Sequence, residues 1–218
     1  MGEYSDFYGL PAVCGLDLAV GAYDLASMVV IVKVDDNEYK ALSYTFSAKD
    51  SLADNEDRLK VPLQALAQDP RNHFYTTSGK TFCWNEMSTR IADILSNFNV
   101  VKMGVDPYKY EELNKHLEDK GFNVEVEKMK QTFPFFDAYI GSLENLIYDK
   151  KVTHNNNYFL GYCMSNAVLI EDAQGNRKIV KRSANQKIDN AVAFAQAAYL
   201  VETDLSVYDD NTVSYAFI

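Results

Sequence analysis

Val100-Val101-Lys102-Met103-Gly104-Val105-Asp106-Pro107 is an apolar run that ends in an acid and is stopped by proline. It reads as a buried strand, because proline lacks the amide hydrogen that would carry a ladder further. On its upstream side, residues 88–98 set Ile91, Ile94, Leu95 and Phe98 at helical spacing. On its downstream side, residues 108–120 carry Tyr110, Leu113 and Leu117 on one face and stop at Gly121, before a short strand expected over 122–126. Strand, helix and strand in that order make a β-α-β unit.

Working outward, Ala12-Val13-Cys14-Gly15-Leu16-Asp17-Leu18-Ala19 is a second apolar run, broken by one aspartate. Ser27-Met28-Val29-Val30-Ile31-Val32-Lys33-Val34 is β-branched and nearly continuous, and Tyr39-Lys40-Ala41-Leu42-Ser43-Tyr44-Thr45-Phe46 alternates. Turn-like residues 20–24 and Asp35-Asp36-Asn37 join the three runs, which predicts an antiparallel meander. Residues 47–77 show no strong period and read as irregular, with room for one or two helical turns over 61–67. Farther on come an amphipathic helix over 135–150 through Tyr139, Leu143, Leu146 and Ile147, and a shorter helix over 158–165. Residues 167–172 and 178–180 flank Ala173-Gln174-Gly175-Asn176 as a hairpin, and the last helix, over 188–202, is rich enough in alanine to lie close against a sheet. The class is therefore α/β: a mixed sheet, antiparallel meander plus parallel strands, flanked by helices. With 218 residues and no internal repeat or linker, a single domain over 1–218 is expected.

Apolar residues at 47% and charged residues at 24% fit a globular chain and exclude disorder, collagen-like repetition and coiled coil. The longest apolar runs, 28–32 and 191–195, fall far short of the roughly 20 residues of a membrane span, and Met1-Gly2-Glu3-Tyr4-Ser5-Asp6 is no signal peptide. No membrane partner and a cytoplasmic location are expected. Cys14, Cys83 and Cys163 form no C-x-x-C pair and read as reduced core residues. A formal charge of −10 excludes a surface that grips phosphate all over, so any nucleic-acid contact must be local. Clustered carboxylates that hold divalent cations would be part of the acid surplus.

Asp17 carries the most information, because a lone carboxylate in an apolar strand is costly unless it is paired or holds a metal. Asp106 repeats the arrangement at the C-terminal end of its strand, the end where α/β folds place ligands. Asp189, in Lys187-Ile188-Asp189-Asn190-Ala191-Val192-Ala193, opens the last helix and is a third acid able to converge there, although an acid in a first turn also complements the helix dipole. Such carboxylates supply hard oxygen ligands for Mg²⁺ or Mn²⁺, and two ions about 4 Å apart can activate water and stabilise the leaving alkoxide in phosphodiester cleavage. Asp24 is either a fourth, auxiliary ligand, if its turn folds back over the strand ends, or a plain turn acid.

Six spaced motifs carry a resemblance that runs over most of the chain. Gly15-Leu16-Asp17-Leu18 and Asp24-Leu25-Ala26-Ser27 come first, then Val105-Asp106-Pro107-Tyr108 with Leu117 and Gly121-Phe122. Leu143-Glu144 with His154, Asn166, Gly175-Asn176-Arg177-Lys178 with Lys181, and Lys187-Ile188-Asp189-Asn190 follow in order. Together they resemble the nuclease domain of the large terminase subunit of tailed double-stranded DNA phages. The resemblance implies a ribonuclease-H-like fold in which Asp17, Asp106 and Asp189 bind two divalent cations, Mg²⁺ or Mn²⁺, and cut duplex DNA during genome packaging. It further implies an ATPase motor upstream of residue 1, a small terminase subunit and a portal as partners, and His154 as an auxiliary to the site. The chain departs from the family's pattern at Asn157-Tyr158, where Asn-Pro is frequent, at Thr132 after Gln131, where glycine is frequent, and at Asn190, where glycine is common.

Ser78-Gly79-Lys80-Thr81 mimics the end of a phosphate-binding loop, but Phe74 stands where its first glycine belongs, so no ATPase domain is expected in this chain. Arg177, Lys178, Lys181, Arg182 and Lys187 form the local basic patch that an acidic chain needs for DNA, binding phosphates without reading bases. Glu144 reads as a helix-face acid, His116 as a helix-surface residue, and Phe133, Phe135 and Phe136 as core. Two other classes remain open: a noncatalytic ribonuclease-H-like interaction module, and another nuclease of that fold such as a junction resolvase.

Overall fold

The alternation of the first three strands sorts their side chains onto two faces of one sheet. In the computed structural model, which describes residues 4–18, 21, 23–107, 110–154 and 156–207, β1 (Pro11–Asp17), β2 (Ala26–Asp35) and β3 (Glu38–Ala48) pair antiparallel in chain order. Their even-numbered residues, including Ala12, Cys14, Leu16, Met28, Val30, Leu42 and Phe46, meet one apolar cluster. Val13, Val29, Ile31 and Ala41 meet another on the opposite face.

Six further strands define the rest. β4 (Phe74–Thr77) runs parallel to the end of β3, β5 (Asn99–Val105) parallel to β1, β6 (Val126–Lys128) parallel to β5, and β7 (Val152–His154) parallel to the start of β3. The order is β4-β3-β2-β1-β5-β6, with β7 beside β3. The last two, β8 (Ala167–Glu171) and β9 (Arg177–Lys181), form a separate antiparallel hairpin.

Residues 47–77 correct the sequence reading: they hold α1 (Leu52–Leu59), α2 (Leu63–Gln68) and β4. These elements span eight, six and four residues, too few turns for a period to emerge. α3 (Trp84–Leu95) and α4 (Tyr110–Glu118) cover the first face through Met87, Ile91, Leu113 and Leu117. α5 (Phe133–Tyr148) and α7 (Asp189–Leu200) cover the second through Tyr139, Leu143, Ala193 and Ala197. Between them, α6 (Tyr158–Asn166) packs Phe159 and Cys163 against Leu25 and Phe74. The strand expected over 122–126 begins at Val126, because Phe122 uses its amide to close α4 onto the Leu117 carbonyl. β7 was not anticipated. The expected helix start at Tyr108 and Lys109, and Ala19, Val20 and Ala22 around the first turn, lie outside the described residues.

The alanine-rich α7 does lie close to the sheet. A Cβ on Gly15 would stand 2.0 Å from the Ala193 carbonyl oxygen and 2.8 Å from the Ala197 amide nitrogen, so backbone meets backbone where α7 crosses β1. Cys14 and Cys163 are buried free thiols, as expected, and Cys83 is half-buried. No helix among the described residues is long and apolar enough to cross a membrane.

Candidate metal centre

Because β1, β3 and β5 point the same way, their C-terminal ends share one edge of the sheet. Asp17 is the last residue of β1, and Asp106 follows β5, its amide donating to the Leu16 carbonyl at 3.4 Å. α7 delivers the third acid: its first residue is Asp189, and Asn190 pins that end of the helix to β3 by donating to Ser43 Oγ at 2.7 Å and Thr45 Oγ1 at 3.0 Å. In register, Asp17 faces Ser27 and Ser27 faces Thr45, so a polar row crosses three strands beneath the helix.

The electrostatics show that these acids feel one another. Burial, then the charges of Asp189 and Asp106, push the Asp17 carboxyl well above the usual range, while the Lys187 charge works the other way. Burial also raises Asp189, with the charges of Lys187 and Lys181 opposing. Asp189 Oδ2 is buried and accepts no hydrogen bond from the described residues.

Asp24 does fold back toward this edge, but its carboxylate is occupied. Oδ1 accepts from Lys187 Nζ at 3.1 Å and Oδ2 from the Gly21 amide at 3.0 Å. Burial opposes ionisation of Asp24, but Lys187 outweighs it and holds the carboxyl below its ordinary range. Arg58 of α1 donates to the Tyr23 carbonyl and stacks over the Tyr23 ring, bracing the segment that carries Asp24. Sequence reasoning missed Arg58 because it lies in the stretch read as irregular. It also missed Asn190, Ser27, Ser43 and Thr45; the available signal was the alternation of Ser43, Thr45 and Ser47 with Leu42, Tyr44 and Phe46, a polar stripe on a strand buried on both faces.

The five basic residues do not form one exposed patch. Arg177 is clamped, its Nε donating to Asp137 at 2.6 Å and its guanidinium to Glu144 at 2.8 Å. Lys178 Nζ donates to the Gln131 carbonyl at 2.9 Å and lies over the Phe133 and Phe136 rings. Lys187 is engaged by Asp24, while Lys181 and Arg182 stand exposed. Glu144 is a helix-face acid, as read. Phe136 is buried, but Phe135 is exposed under Lys130, so that aromatic group is only partly core. His154 is exposed on β7, level with Ala41, whereas the Asp17 row crosses β3 at Thr45; the structure does not bring it to the acids. A strand, β4, does precede Ser78-Gly79-Lys80-Thr81, but Phe74 is a buried strand residue and the Ser78 amide is taken by the Glu86 carboxylate.

Among the described residues, no three His, Cys, Asp or Glu side chains are drawn close enough to enclose a metal ion as they stand. The donor set nevertheless fits a hard divalent cation. Two carboxyls are raised by burial and by acidic neighbours, and among the described residues a buried carboxylate oxygen and a buried hydroxyl, Ser27 Oγ, lack partners at the same edge. A cation with an oxygen shell would relieve all of these at once.

The fold has counterparts among known proteins. The large terminase subunit of Enterobacteria phage HK97 is 25% identical over 183 residues, which is 84% of this chain and 36% of that protein. The chain thus spans about a third of the length of that relative. The crystal structure of the HK97 large terminase superposes with a TM-score of 0.81 at 24% identity, over 88% of this chain and 40% of that one. The large terminase nuclease of thermophilic phage G20c with bound magnesium superposes at 0.58 and 13% identity, over 87% of this chain and 80% of that one. A cobalt-bound form of the same nuclease gives 0.57 and 14%, over the same shares. The mixed sheet is thus the ribonuclease-H-like fold of those nucleases. Residues 2–203 match the family described as "Terminase large subunit, endonuclease domain", and the chain belongs to that family.

Proposed function

We propose that this chain is a divalent-metal-dependent endonuclease that cleaves double-stranded DNA during phage genome packaging. The observation that carries the reading is the convergence of Asp17, Asp106 and Asp189, from β1, β5 and α7, on one edge of the sheet, where burial and neighbouring charge resist ionisation of Asp17. Two divalent cations, Mg²⁺ or Mn²⁺, would supply Lewis acidity and a water acidified enough to attack phosphorus. The three aspartates would hold them, Asn190 would keep Asp189 over the strand ends, and Lys187 would restrain Asp24 beside them. Lys181, whose charge reaches Asp189, and Arg182, both exposed, would bind the DNA backbone. An ATPase motor outside residues 1–218, a small terminase subunit and a portal would be its partners in the host cytoplasm, with these residues forming one nuclease domain.

Cleavage of supercoiled plasmid tests the reading. Nicking and linearisation are expected with Mn²⁺ or Mg²⁺, none with EDTA, and none from Asp106→Asn at unchanged melting temperature. A fully active Asp106→Asn would refute the site.

A further inference from the structure

Three hydroxyls, Ser27, Ser43 and Thr45, lie fully buried on the sheet face beneath the first turn of α7. Asn190 engages two of them. Ser27 Oγ alone of the three has no hydrogen-bond partner among the described residues. A buried hydroxyl left without a partner costs free energy unless water or a ligand meets it, and this one stands beside Asp17. Ser27 is the direct cross-strand neighbour of Asp17 in the antiparallel β1–β2 pair, and residues so opposed stand on one face with Cβ atoms about 4.5–5.5 Å apart. Asp189 Oδ2, the other unpartnered buried oxygen at this edge, is presented by the helix that Asn190 holds down.

We propose that Ser27 is a positioning residue of the cation site, its hydroxyl donating to the oxygen shell around the bound divalent ion and so orienting the Asp17 carboxylate. The proposal rests on the metal-dependent reading above. Hydrated cations such as Mg²⁺ are held as much through such outer contacts as through direct ligands, and the loss of one weakens binding by about 10–100-fold.

The test is calorimetric titration of Mn²⁺ into the wild-type chain, Ser27→Ala and Asp17→Asn, with the melting temperature of each taken in EDTA. For Ser27→Ala the Mn²⁺ Kd is expected to rise about tenfold. Its melting temperature in EDTA should match or exceed that of the wild type, because the substitution removes only an unpaired buried hydroxyl. An unchanged Kd for Ser27→Ala, with binding lost in Asp17→Asn, overturns this role and leaves the metal site standing. A clear fall in its EDTA melting temperature makes Ser27 a structural residue and overturns the proposal as well. A wild-type chain that takes up no Mn²⁺ overturns both this role and the metal-dependent reading.

Discussion

Asp17 is held in a form that weighs against the fold at neutral pH. Burial first, then Asp189 and Asp106, raise its carboxyl above the ordinary value of 3.8, so the folded chain binds a proton more readily than the unfolded one. Such a group favours folding at low pH, and that contribution is lost as pH climbs from the ordinary value through the raised one. Asp17→Asn keeps the shape and removes the charge. Its melting temperature in EDTA at neutral pH is expected to exceed that of the wild type, by about 2–4 °C for each kcal/mol relieved in a chain of this size. A lower melting temperature, by scanning calorimetry, would show that the Asp17 charge is compensated within the fold and refute the account. Since a ligating carboxylate must first lose its proton, wild-type Mn²⁺ affinity should rise with pH above the ordinary carboxylate range. Asp17 and Asp106 stood out in the sequence because each breaks or ends an apolar run, and Asp189 because it opens a helix within the last of the resembling motifs. Ser27 and Asn190 did not, because a hydroxyl or an amide is unremarkable beside a strand or a helix start until the register shows what it faces.

The Asp189 charge acts on Asp17 from a helix that lies unusually close to the sheet. With Gly15 beneath Ala193 and Ala197, α7 approaches β1 at backbone distance. Gly15→Ala would drive a Cβ into the Ala193 carbonyl, which cannot yield without lifting the helix and the acid it carries. Gly104→Ala is the control: its Cβ meets only side-chain atoms, Met129 Cε at 2.8 Å and Cγ at 3.1 Å and Leu200 Cδ1 at 3.2 Å, which can shift where backbone cannot. In urea unfolding, Gly15→Ala is expected to lose at least 3 kcal/mol, roughly the strong end of overpacking, and Gly104→Ala about 1 kcal/mol. Equal losses would refute a backbone contact at Gly15. The same closeness explains which elements could be read in advance. The alanines of α7 and the β-branched runs of β1–β3 declare their partners by composition, whereas α2, β4 and β7 owe their form to the sheet they join and carry too few residues to show a period.

At the scale of the whole molecule, the order of elements pointed to the mixed class and to β2 beside β3, but not to β4 and β7 beside it, because both pair with β3 from farther along the chain. Distance in sequence also hid the allocation of basic charge. Of five basic residues within eleven positions, Arg177 is claimed by Asp137 and Glu144 on α5, and Lys178 by Gln131, so the hairpin spends two cations on its own attachment. On a chain of net charge −10, duplex DNA would be held by the few that remain. Lys181 and Arg182 are exposed, and the Lys181 charge extends to Asp189, which would set the phosphate path beside the acids. Each phosphate contact adds about 0.9 to the slope of log affinity against log salt. The Lys181→Ala, Arg182→Ala double variant should therefore bind a duplex in EDTA with a slope shallower by about 2, and more weakly at every salt concentration. Arg177→Ala should leave the slope unchanged, because its guanidinium is turned to α5. Fluorescence anisotropy of a labelled duplex between about 50 and 200 mM salt separates the two. A slope that falls with Arg177→Ala but not with the double variant would move the DNA path to the α5 side of the hairpin, away from the three aspartates.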